Sequence, residues 1–164
     1  MVEPSKIPPP PSDSTYVAHL WDYPHLTLAV FGMQYLNQEA YALYEAAGIP
    51  AQMDAYMSNF EGLLCTRSYE SGTDHILFQY WRSHEDLARF AREFPHTTWW
   101  KWLMANRGKG FGFYHEIYQC KTAEAIYEVG SQPVGPAAFC LTSAVDKGQG
   151  RSAQRQARFI EAGK

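Results

Sequence analysis

Hydrophobic and polar positions change period several times along the chain, and each change marks an element. LTLAVFGMQYL (26–36) is a nearly continuous apolar run rich in β-formers and too short for a membrane helix, so it predicts a first strand. Asn37 then offers a side-chain cap to QEAYALYEAAG, whose Ala and Glu content favours helix until Gly48 and Pro50 stop or kink it. AQMDAYMSNF supplies a second helical piece. GLLCTRSYE (62–70) and HILFQYWR (75–82) read as two strands joined by the hairpin loop SGTD. Ser83, with Asp86 three residues on, opens a helix in HEDLARFAREF that places Leu87, Phe90, Ala91 and Phe94 on one face. Pro95 breaks it, and HTTWWKWLMANR resumes a helical pattern as far as Gly108, Gly110 and Gly112. FGFYHEIYQC (111–120) is the last long strand, and AEAIYEVG (123–130) a short further strand or extension.

The order β-α-β-β-α-β is the ferredoxin-like pattern, an α+β fold. Five prolines in MVEPSKIPPPPSDST predict a flexible Pro-rich arm, taken as residues 1–20, with the domain over 21–137 and a C-terminal extension, loop or short helix, over 138–164. On FGFYHEIYQC one strand face carries Phe111, Phe113, His115 and Ile117, and the other Gly112, Tyr114, Glu116 and Tyr118. Helices on one side of a sheet cover only one face, so the second face calls for a partner, and a sheet-to-sheet homodimer supplies it.

Composition sharpens this picture in two respects. Aromatic residues make up 15% of the chain, more than a bare core needs, and point to an apolar pocket or an interface. The net charge of -3 removes the electrostatic footprint of a nucleic-acid binder, and its only basic excess lies after residue 140. Cys65, Cys120 and Cys140 are odd in number and widely spaced, which argues against a disulfide framework or zinc knuckle and fits a reducing, cytoplasmic setting. No apolar run is long enough to span a membrane.

Within this frame QYWRSHEDLARFARE, His96 and Trp100 in H-x-x-x-W, GFYHEIYQC, and AIYEVG followed by PVGP carry a family resemblance. Over roughly residues 25–137 the chain resembles the small dimeric α+β barrel monooxygenases of the fumagillin-pathway type, related to antibiotic-biosynthesis monooxygenases. The resemblance implies a dimer of ferredoxin-like units, a pocket between each sheet and its helices, and tailoring of polyketide or terpenoid metabolites. Two departures bear on pocket shape: Tyr114 stands where relatives often carry Trp before the motif His, and KTAEA replaces a charged turn.

His115, fixed on a strand, is the first candidate for a general base; the alternative is a buried imidazole satisfied by a neighbour. His96 is the second, at a helix start whose dipole favours neutral imidazole, with a surface or capping role as its alternative. Glu116 points away from His115 and is expected to pair with Arg82 or Arg67. Trp81, Tyr118, Tyr80, Trp100 and Tyr114 are candidate substrate contacts, with plain core or interface packing as the competing role. GKGFG reads as a turn and not as a phosphate loop. The expected activity is a cofactor-independent monooxygenase that uses a His base and O2 on an electron-rich polyketide-, quinol- or terpenoid-type substrate, a small apolar or aromatic molecule, with no metal. A non-oxidative cyclase, isomerase or dehydratase is the alternative; further ones are a haem enzyme with His75, His96 or His115 as axial ligand, and a non-catalytic binding protein.

Overall fold

The computed structural model describes residues 7–164; the first part of the expected arm, residues 1–6, lies outside them. Along the chain run β1 (Tyr16–Ala18), β2 (Thr27–Tyr35), α1 (Gln38–Ala46), α2 (Ile49–Met57), β3 (Leu63–Ser71), β4 (Asp74–Trp81), α3 (His84–Arg92), α4 (His96–Ala105), β5 (Phe111–Gln119), β6 (Ile126–Tyr127), β7 (Thr142–Ala144) and α5 (Ser152–Ala162). They form two compact units, a central one over residues 27–118 and a flanking one built, among the described residues, from 7–26 and 119–164.

The central unit is the ferredoxin-like α+β fold, its sheet ordered β3-β4-β2-β5. Each expected element is present because its local chemistry is consistent with its place. Asn37 Oδ1 accepts the Ala40 N–H at 2.8 Å and starts α1, and Ser83 Oγ accepts the Asp86 N–H at 3.2 Å and starts α3. The β3-β4 hairpin turns on Gly72 and Thr73 alone, with Gly72 at φ 63°, a conformation that costs a glycine little. Asp86 receives Arg82 Nε at 2.7 Å and a second guanidinium nitrogen at 3.0 Å, and hydrogen bonding from Arg82 holds its carboxyl below the usual carboxylate range. This ties the start of α3 to the end of β4. Arg82 also reaches Glu61 at 3.2 Å, and Glu116 accepts the Tyr118 hydroxyl at 2.7 Å, so the expected pairing of Glu116 with Arg82 is corrected. The carboxylates next to Arg82 in the fold are those beside its own helix start.

Register decides which side chains meet the helices. Ala29 stands opposite Gln79 and Phe31 opposite Leu77, so these four share one face, and the two-residue period adds Met33 and Trp81. All four helices pack on that face, where Ala29, Met33, Tyr44, Ile49, Met57, Leu77, Trp81, Leu87, Phe90, Trp99 and Leu103 form the core. The opposite face brings the Tyr114 ring so close to Gly32 that a Cβ there would lie 2.1 Å from it.

In the flanking unit β1 lies between β6 and β7, with Tyr16 opposite Tyr127 and their rings stacked at 5.1 Å. Tyr16, Val17 and Ala18 are buried, so the expectation of an arm as far as residue 20 gives way to a strand from Tyr16. Its two neighbours come from beyond residue 119, and sequence windows cannot register pairing over such a separation. The C-terminal segment contains both β7 and α5, and buried Arg155 anchors α5 by an ion pair with Glu124 and a 2.6 Å bond to the Gln149 carbonyl. The three cysteines are free. Among the described residues no helix is long and apolar enough to cross a membrane.

Candidate active site

Two cavities open between the sheet and helices of the central unit. The inner one, about 70 Å³, is almost wholly apolar; β2 contributes Phe31 and Met33, α3 Leu87 and Phe90, and α4 Trp99, Trp100 and Leu103. Besides the indoles of Trp99 and Trp100, the nitrogen-bearing side chains that line it are His96, His115 and Gln79. The outer one, about 670 Å³, runs between α1, α2 and the β3-β4 hairpin. Phe31, Met33, Tyr44 and Met53 line both, so these four side chains are the wall between two compartments of one site.

His96 is the first residue of α4, and its Nδ1 lies 3.0 Å from the Ala91 carbonyl oxygen. A carbonyl only accepts, so Nδ1 carries the proton and Nε2 keeps its lone pair. The ring packs against Phe90 at 5.0 Å and Trp99 at 6.1 Å between centroids. Burial lowers its pKa below the ordinary 6.5, the Ala91 bond works in the opposite direction, and His115 adds a further lowering. A neutral imidazole is what the helix-dipole argument anticipated, but burial is the larger cause.

His115 occupies β5, the outermost strand of the sheet, on the face shared by Phe111 and Phe113. Its ring meets Phe31 edge-on at 6.2 Å, and burial lowers its pKa as well, although the residue as a whole remains exposed at the cavity rim. Trp100 completes this side and touches Phe113 edge-on at 5.3 Å.

Gln79 is a functional candidate that the sequence reading did not single out. It is buried on the helix-facing side of β4, where its Oε1 accepts the Trp81 indole N–H at 3.3 Å and its Nε2 lies 3.2 Å from the Met57 sulfur. An indole nitrogen only donates, which orients the amide and leaves Nε2 with a second N–H beyond its weak sulfur acceptor. The available signal was parity, because a polar residue between Leu77 and Trp81 on a core face requires a partner.

The remaining candidates lie elsewhere. Trp81 is fully buried in the core and reaches the cavity only through Gln79. Tyr114 lies over Gly32 on the other sheet face, and Tyr80 lines a shallow groove there with Arg67, Tyr69 and Phe78. Tyr118 is 51% exposed and bonded to Glu116. The structure therefore gathers His96, His115 and Trp100 at one cavity and places Trp81, Tyr80, Tyr114 and Tyr118 outside it.

Among the described residues no three His, Cys, Asp or Glu side chains converge as a metal site. For haem, the outer compartment has the larger volume, and His75, with Nδ1 2.9 Å from Glu70, is the one imidazole lining it. Glu45, Asp54 and Glu70 also line that space while no Lys or Arg does, so haem propionates would meet carboxylates without a counter-cation, and the residues do not suit the group.

The model of the family described as Monooxygenase af470-like matches residues 26–135. An aldoxime dehydratase structure aligns with a TM-score of 0.59 and 21% identity over 96% of this chain, which spans 47% of that protein's length. A second, aldoxime dehydratase OxdRE in complex with butyraldoxime, has a TM-score of 0.59 and 18% identity over 94% of this chain and 44% of that one. SnoaB from Streptomyces nogalater, a cofactor-independent oxygenase, aligns with a TM-score of 0.47 and 12% identity over 60% of this chain and 96% of that one. At such identities a likeness speaks to fold alone. No curated protein matches the chain.

Proposed function

Because the chain belongs to the Monooxygenase af470-like family, we propose that it is a cofactor-independent oxygenase whose base is His96 and whose substrate is a small electron-rich aromatic metabolite. The observation that carries this reading is the fixed tautomer of His96: its Nδ1 is committed to Ala91, and its basic Nε2 belongs to a ring that lines an apolar cavity with His115 and Gln79.

Nε2 takes the proton of a substrate phenol or enol, and low polarity around the resulting anion raises its tendency to give up an electron to O2. The Gln79 amide N–H and the second imidazole stand ready to donate to oxygen as charge develops on it. For 1,5-dihydroxynaphthalene, which has a ring C–H para to a phenol, the balance is complete. One oxygen atom stays on the ring as a new carbonyl, the phenol becomes the second carbonyl, and the other oxygen leaves as water with the phenolic and ring hydrogens. The substrate supplies every electron.

The test is oxygen uptake by chelator-treated protein with dihydroxynaphthalene, with the product analysed after turnover under labelled O2. The expected product carries one labelled oxygen, and His96→Ala slows turnover by about 10²–10⁴, the range of a lost general base. Equal turnover under strict anoxia would overturn the oxygenase reading in favour of a non-oxidative lyase or isomerase. Undiminished turnover by His96→Ala would remove His96 as the base.

The same reading includes a homodimer formed through the sheet face that the four helices leave uncovered. Phe78 and Tyr80 are half-buried there and Tyr69 is 40% exposed, a concentration of aromatic surface suited to a second copy.

A further inference from the structure

The inner compartment cannot hold a whole metabolite. Its 70 Å³ falls well short of the roughly 300–1,000 Å³ of ordinary ligand sites, whereas the 670 Å³ outer compartment lies within that range. A substrate that reacts at His96 therefore keeps most of its body beyond the shared wall, and the outer lining selects it.

That lining has one sign of charge. Glu45 from α1, Asp54 from α2 and Glu70 from β3 converge on the space from three elements, and no Lys or Arg side chain lines it. Glu70 has His75 Nδ1 as a neighbour at 2.9 Å, whereas Glu45 and Asp54 form no ion pair with a Lys or Arg among the described residues. Between the carboxylates stands an aromatic cluster, with Tyr35 edge-on to Tyr41 at 5.2 Å and tilted against Tyr44 at 5.7 Å. On the floor the Thr66 hydroxyl is buried without a hydrogen-bond partner, so both its proton and its lone pairs are unused.

From these features we infer that the outer compartment binds a protonated amine, and that the substrate is an aromatic compound with an amine-bearing arm. This rests on the proposal that chemistry occurs at His96. An ammonium group placed there gains the carboxylates and the tyrosine rings together, a combination that neither a carboxylate nor a phosphate can use. The same carboxylates act on the tyrosines: burial is the main cause that pushes the Tyr44 phenol up to about 12, with Glu45 and Asp54 adding to it, and Tyr35 is raised by burial first, then by Tyr44, Glu45, Tyr41 and Glu70.

The experiment compares naphthylmethylamine, naphthol and naphthoate, which share a ring system and differ in charge, by titration calorimetry on the full chain at low ionic strength. The amine is expected to bind at least tenfold more tightly than naphthoate, with naphthol between them, and the gap is expected to narrow with added salt. In the variant combining Glu45→Gln, Asp54→Asn and Glu70→Gln the amine loses its advantage while naphthol affinity is unchanged, which also shows that the variant is folded. Naphthoate binding as tightly as the amine, a preference that survives the triple substitution, or no saturable binding of any probe would overturn the inference. His96→Ala separates the two proposals, since it is expected to slow oxygen uptake by about 10²–10⁴ and leave amine binding intact. Amine selectivity in a protein that consumes no oxygen would sink the oxygenase reading and keep the amine site.

Discussion

An imidazole partly withdrawn from water resists protonation, and this gives His96 and His115 a joint pH signature. Both have pKa values lowered by burial in the folded chain, whereas unfolding returns them to about 6.5. The unfolded chain therefore binds more protons below pH 6.5, and the stabilising contribution present above that pH is lost as the pH falls toward and through the folded values. The melting temperature is expected to fall between pH 7 and pH 5, and to fall less steeply in His96→Gln; identical slopes for the two proteins would contradict the assignment. The acid limb of kcat/KM is expected below pH 6.5 for the same reason. At this scale the sequence singled out His96 and His115 as candidates, and the structure brings both rings to one cavity, while their part in any reaction is the proposal above. The sequence was silent on Gln79, whose role depends on an indole two residues away and a methionine sulfur 22 residues away in the chain. It overvalued Tyr114 and Tyr118, which lie on the strand face opposite His115, because aromatic content reports surface area and says little about which cavity that surface lines.

Among elements, the contact between β2 and β5 is the most sensitive to a small change. Tyr114 lies over Gly32 with no room for a methyl group, so Gly32→Ala must displace a ring. The expected cost is about 1–3 kcal/mol, read as a lowered urea midpoint. Tyr114→Ala in the same chain is expected to recover part of that loss, and strict additivity of the two substitutions would show that they do not meet. The long strands and the four helices of the central unit were legible because period and turn residues mark their boundaries, with side-chain caps at α1 and α3 and Gly48 or Pro95 before α2 and α4. β1 was not, since Tyr16–Ala18 follow a proline run and become a strand only through partners more than 100 residues away.

For the whole molecule, the proposed homodimer is tested by light scattering, which is expected to report twice the chain mass, and by Phe78→Asp, which is expected to return the single-chain mass. A wild-type chain that scatters as one copy at micromolar concentration would remove the dimer. The ferredoxin-like order was readable from the alternation of strand and helix signals, but the two-compartment chamber was not, because it is a gap left by side chains meeting at distances no spacing rule encodes.

The shared wall of that chamber restricts how the protein can change. Phe31, Met33, Tyr44 and Met53 each present one side to the reacting end of a bound molecule and the other to its tail. A substitution that makes space for a bulkier tail also loosens the dry end where oxygen would be handled, so a broader diet and tighter control of reactive oxygen pull against each other at the same four positions.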